Sequence, residues 1–272
     1  MNNRIKNLIL LGRSFFAVAI MAFGLLCFAY SDFVSGLEPL PSWAGGHLFL
    51  AYLTGIIFVT AGASLTVSKV SRLAAIILGA VFFLWILLLH LPKLIAEPHN
   101  GGVWTVLFET LALGGAAWVL AKVLSSEQSA EQTPNHFLEK MGVLGRLCFG
   151  ISLPVFGVLH FIYYGYVASV IPAWIPYPLF WAYFTGIAMI AGGISIISNI
   201  KARLAAVLLG IMFGLWVLIL HLPRVLAHLN IKEEWTSLFI ALAMCGGALI
   251  NAGSLMRDDL EQGADAESKF TP

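Results

Sequence analysis

The sequence predicts an all-α membrane protein with eight transmembrane helices arranged as two parallel four-helix repeats. Three observations carry this: composition, self-similarity and the distribution of positive charge. Of the 272 residues, 60% are hydrophobic and 11% charged, and mean hydropathy is +0.90. A soluble domain carries roughly 25% charge, so much of this chain needs a bilayer as its solvent. Eight spans of ~20 residues would use ~160 residues, which matches the apolar supply. With a net charge of +1, no basic surface advertises nucleic acid or another polyanion.

The self-similarity is direct. Ala51–Lys93 aligns without a gap with Ala182–Arg224 at an offset of 131, and 21 of the 43 pairs are identical. The shared strings include Thr54-Gly55/Thr185-Gly186, Trp85/Trp216 and His90-Leu91-Pro92/His221-Leu222-Pro223. Upstream, Gly12-Arg13 matches Gly145-Arg146 at an offset of 133; downstream, Trp104-Thr105 matches Trp235-Thr236.

Each half then divides into four apolar segments. They lie near 14–34, 47–67, 72–91 and 103–121, and near 147–168, 179–199, 203–222 and 235–255. Long apolar runs with internal glycine and no strand alternation read as helices. The basic start and the run Ser14–Tyr30 have the look of a signal peptide. Its mate, however, is an internal helix of the second half, so it reads as a retained span. The expected units are a repeat over 1–121, a polar linker over 122–144, a repeat over 145–256 and a polar, disordered tail over 257–272.

Orientation follows from Lys and Arg. One side collects 12 of them, including Arg13, Arg72, Lys122, Arg146, Arg203 and Arg257; the other holds Lys93, Arg224 and Lys232. The first side, with both termini, is expected in the cytoplasm and the protein in the inner membrane. An even number of spans per half makes the repeats parallel.

Polar residues inside the spans are few. His90 and His221 close the third helix of each half, ahead of a proline expected to end the helix. Lys93 and Arg224 follow, and Trp85 and Trp216 lie over a turn deeper. Two roles fit this motif: a helix-end device in which His caps carbonyls and Lys or Arg snorkels, or one outward polar site per half. Glu109, whose mate is Ile240, is an acid within hydrocarbon, costly unless neutral or paired. A site role places its carboxyl inside the bundle near His90 or another polar group, with Lys93 bending back toward it. His160, whose mate is Cys27, is either a satisfied interhelical hydrogen-bonder or a further site member. Glu109, His90, His160 and His221 share one depth, in the outer half of the bilayer.

Other features are less specific. His47 starts the second span; Asp32 and Glu38 are expected to be solvated. The Pro- and Trp-rich loop Ile171–Pro178, matching Leu40-Pro41-Ser42-Trp43, reads as an interface anchor or a portal for a hydrophobic ligand. Cys27, Cys148 and Cys245 form no C-x-x-C pair, which argues against dithiol chemistry. No helix carries paired metal ligands, so no metal is expected.

Gly145-Arg146, Ile171-Pro172-Ala173-Trp174, Trp181-Ala182-Tyr183-Phe184-Thr185-Gly186 and Arg203-Leu204-Ala205-Ala206 together resemble the DoxX-like family of bacterial membrane proteins. Members are usually one four-helix unit, so this chain looks like a tandem duplication. The family name comes from a quinone-linked membrane complex. The resemblance therefore implies a redox or quinone-associated role, without fixing one, and no residue pattern to transfer; with no haem, flavin or cluster ligation visible, electrons would need a membrane redox partner subunit. Three functions stay open: a quinone-associated redox component, a small-molecule or ion carrier, and a non-catalytic assembly scaffold. The candidate ligand-binding residues are His90, Glu109, His160, His221, Trp85, Trp216, Lys93 and Arg224.

Overall fold

The structure is a computed structural model; it describes residues 3–34, 37, 48–67, 70–128 and 135–268, with backbone alone at 126–128 and 261–268. Glu38, His47, Lys69 and the string Leu40–Trp43 lie outside the described residues. Those described form α1 (Asn3–Tyr30), α2 (Leu48–Thr66), α3 (Ser71–Trp85), α4 (Leu91–Ala96), α5 (Gly101–Gln128), α6 (His136–Ile162), α7 (Tyr164–Ser169), α8 (Pro178–Ser198), α9 (Ala202–Trp216), α10 (Leu222–Ala227) and α11 (Lys232–Ser268). Five-residue π-helical turns, Ile86–His90 and Val217–His221, join α3 to α4 and α9 to α10. Among the described residues there is no strand, and eight helical stretches are long and apolar enough to cross a membrane.

The prolines do not end their helices as expected. Pro92 and Pro223 sit in the first turn of α4 and α10, where a missing N–H costs little, so helical backbone runs on to Ala96 and Ala227. The π turns just before them relax the hydrogen-bond ladder where proline would clash. The chain then turns back, and an indole fixes each turn. Trp104 Nε1 donates to the Pro98 carbonyl at 2.8 Å, and Trp235 Nε1 to the Leu229 carbonyl at 2.9 Å.

Helices also outrun the apolar segments. The expected linker is helical over 122–128 and 136–144, and α11 carries the expected disordered tail on to Ser268. Polar side chains there find partners on neighbouring helices. Lys122 pairs with Asp258 at 2.8 Å and Glu139 at 3.0 Å. Arg257 donates to the Val123 carbonyl at 3.1 Å, and Arg203 pairs with Asp259 at 3.1 Å.

Packing order sets the architecture. Spanning helices touch in a closed ring: α1 on α2, α2 on α3, α3 on α5, α5 on α6, α6 on α8, α8 on α9, α9 on α11 and α11 on α1. Across the middle, α5 also packs on α11. Two compartments result, one walled by α1–α3 and one by α6, α8 and α9, and both share the α5–α11 pair. Glycine permits the close crossings. A Cβ on Gly12 would lie 2.8 Å from the Gly246 carbonyl, and the paired positions Gly145 and Gly115 approach as closely. Gly24 against Gly55 and Gly157 against Gly186 form a second matched pair of crossings.

Candidate functional site

The two compartments are built from matching positions but filled differently. In the first, Phe23, Phe58 and Phe82 are fully buried. Phe58 packs with Phe23 and Phe82 at 6.0 Å between ring centroids and edge-on with Trp85 at 5.4 Å. His90, only 1% exposed, closes this core. Its Nε2–H is shared between the Leu37 carbonyl at 3.0 Å and the Thr110 hydroxyl oxygen at 3.1 Å. The Thr110 O–H in turn donates to the Val106 carbonyl at 2.9 Å. His90 and Trp85 therefore belong to a satisfied core.

In the second compartment the matching positions are Phe156, Met189, Phe213 and Trp216, and all four line a cavity of about 520 Å³. Met189 stands where the first half has Phe58, and Ala241 where it has Thr110. One lost ring and one lost hydroxyl leave space and free the imidazole. Into this space come Glu109 from α5, His160 from α6, His221 from the second π turn and Ser237 from α11. Glu109, His160, Trp216 and His221 also border an adjoining groove of about 1110 Å³ along α8 and α9. Glu109 thus faces the compartment of the other half, because α5 packs on α6.

Hydrogen bonding fixes the chemistry of the imidazoles. His160 Nδ1–H donates to the Phe156 carbonyl at 2.8 Å, leaving Nε2 as the acceptor nitrogen. Its ring lies nearly parallel to that of Trp216, 18° apart with centroids at 6.1 Å. His221 Nδ1 is buried and finds no hydrogen-bond partner among the described residues. At the groove's edge Arg224 holds Glu234 in a two-pronged pair, Nε at 2.8 Å and Nη2 at 2.6 Å. The backbone N–H of Gly101 donates to the Tyr163 hydroxyl at 3.1 Å and ties α5 to the end of α6.

The structure therefore brings together Glu109, His160, His221 and Trp216, with Arg224 alongside. It separates them from His90 and Trp85, and Lys93 lines neither space. Of the two partners offered for Glu109, His90 or another polar group, the structure places it beside others, away from His90 and Lys93, and Arg224 grips Glu234 instead of acting as a simple snorkelling residue. His90 and His221 share a motif but not a role. Met189, Ala241 and Ser237 were missed. The signal that finds them is the set of positions at which the two halves differ, whereas motif reading attends to those at which they agree.

Among the described residues no group of three or more His, Cys, Asp or Glu is placed to hold a metal ion. The three cysteines are free thiols, and Cys245 Sγ donates to the Gly210 carbonyl at 3.2 Å. Comparison of the chain with protein-family models, with curated proteins and with solved structures gives no match.

Proposed function

We propose that this chain is a DoxX-like inner-membrane protein whose second-half cavity binds the head of a quinone. In that reading it is the quinone-associated component of a membrane redox reaction, with a partner subunit exchanging the electrons. The observation that carries the proposal is one cavity joining a carboxyl, two imidazoles and an indole, and continuing into an apolar groove. A quinone taking up two electrons also takes up two protons, so its site wants proton-exchanging groups beside an aromatic wall. Glu109 and the imidazoles of His160 and His221 are such groups. His160 Nε2 accepts from a hydroxyl; a protonated Glu109 donates to a carbonyl oxygen. Trp216 offers the flat face for a ring.

The charge asymmetry of the loops supports a cavity in the outer half of the bilayer, with both termini in the cytoplasm. A carrier role draws less support, because the middle of the molecule is packed: a Cβ on Gly247 would lie 2.9 Å from that of Ala116. The test is purification in mild detergent, extraction of bound quinone, and thermal unfolding with and without added decyl-benzoquinone. Bound quinone and a rise in Tm lost in Glu109→Leu are expected. A protein without quinone and without any shift would overturn the reading in favour of a scaffold.

A further inference from the structure

Residues that line the groove along α8 and α9 differ in size from those at the matching first-half positions. Ala188, Ala191 and Gly192 line it, and the matching first-half residues are Ile57, Thr60 and Ala61. All three are smaller in the second half, and their spacing puts them on one face of α8. The groove runs from His221 and Arg224 at one end to Lys201 at the other. Those 20 residues of helical rise correspond to about 30 Å, about the hydrocarbon thickness of a bilayer.

The groove opens sideways. Phe184, Leu204, Leu208 and Leu215 line it and are 50%, 55%, 55% and 47% exposed, so in a membrane they meet lipid. Trp174, Ile175 and Pro176 border its mouth at the end near Arg224. The Arg224–Glu234 pair lies at that end of the groove. The exposed apolar wall gives a route in from the bilayer.

We propose that this groove seats the single long apolar tail of the molecule whose head sits among Glu109, His160 and His221, so that the ligand is a long-chain, lipid-borne amphiphile entering sideways. The proposal rests on reading the cavity as a head-binding site, and names the class of ligand it takes. Continuity supports it: the same residues border both spaces, so a head in the cavity has its tail directed into the groove. A channel made by trimming one face of one helix fits one chain. Because lipid tails are as apolar as the groove wall, the groove orients the ligand and guides its entry more than it strengthens binding.

The test uses two photoreactive benzoquinones in phosphatidylcholine vesicles containing the full chain. One carries a diazirine at the end of a long alkyl tail, the other on a short tail, and labelled residues are mapped by mass spectrometry. Long-tail label on Ser195 and Leu204–Leu208 is expected, competed by excess unlabelled quinone. Short-tail label belongs nearer Thr185 and Met212. Restoring first-half residues with Ala188→Ile and Ala191→Thr should cut the long-tail label about tenfold and spare the short-tail label. Leu208→Trp, which narrows the groove from its exposed side, should do the same without touching the core. Glu109→Leu, which removes the donor, should lower both. Long-tail label spread equally over α2, α3, α8 and α9, or not competed, means annular lipid contact only and overturns the tail proposal, while a competed short-tail label preserves the head site. No competed label with either probe overturns both.

Discussion

At the scale of single residues, the two histidines of the repeated Leu-His-Leu-Pro string differ in their partners. Thr110 satisfies His90, whereas Ala241 at the matching position offers His221 nothing. His90→Leu strands the buried Leu37 carbonyl, and should cost about 1–3 kcal/mol of stability without changing quinone-dependent stabilisation. His221→Gln should do the reverse; unfolding scans with and without decyl-benzoquinone check both. Glu109→Gln keeps shape and hydrogen bonding but loses ionisation. It should fold almost normally and lose function in a complementation assay, whereas Ile240→Val at the mate position should be tolerated. Wild-type behaviour of Glu109→Gln would remove the strongest member of the site.

At the scale of helices, association depends on backbones that touch. A Cβ on Gly246 would meet the Gly12 carbonyl at 2.6 Å, so Gly246→Val should separate α11 from α1 and reduce the folded yield, seen as loss of the monodisperse peak in size-exclusion chromatography. Gly214, where a Cβ meets only Cys245 Sγ at 3.5 Å, should accept alanine. Outside the spans, Lys232 donates to the Asp32 carboxylate and to the Phe33 carbonyl, the latter at 3.0 Å, and links α11 to the end of α1. That ammonium holds the Asp32 carboxyl below its ordinary range despite some burial. A carboxyl with a lowered folded-state pKa stabilises above its unfolded value, about 3.9, and loses that contribution as pH falls through the folded value. The Tm gap between wild type and Asp32→Asn should therefore be present at pH 7 and close on acidification below about 4. It should be small, because Asp32 is mostly exposed.

At the scale of the whole molecule, the two halves place different side chains at matching positions. The packed Phe23–Phe58–Phe82–Trp85 cluster stabilises its half; Met189 leaves the other half room for a ligand. Met189→Phe should add packing and raise Tm while abolishing the quinone-dependent shift. Phe58→Met should cost about 0.5–3 kcal/mol, as loss of a packed core ring does, and create no working site, because Cys27 stands where the second half has His160. The same thermal-shift assay reads both, and a gain of quinone response in Phe58→Met would contradict this division of labour.

Composition and hydropathy by themselves determined the all-helical, eight-span character, since 60% apolar residues can be hidden only in a bilayer and long apolar runs without strand alternation satisfy their backbone there as helices. Internal identity likewise made the repeat positions legible, because 21 matches in 43 need no coordinates. Helix ends were less legible: Pro92 and Pro223 read as stops, but a preceding π turn lets the backbone pass, and α11 outruns its apolar stretch because Arg257, Asp258 and Asp259 find partners on other helices. Depth placed Glu109, His90, His160 and His221 at one level, since rise along a helix is fixed at about 1.5 Å per residue. Which of them meet in the plane was decided by tertiary packing alone: α5 lies against α6 and α11 against α1, so Glu109 faces the imidazoles of the other half. Neighbour choice in a ring of helices depends on side-chain relief and glycine crossings between segments far apart in the chain, and neither periodicity nor local motif encodes it.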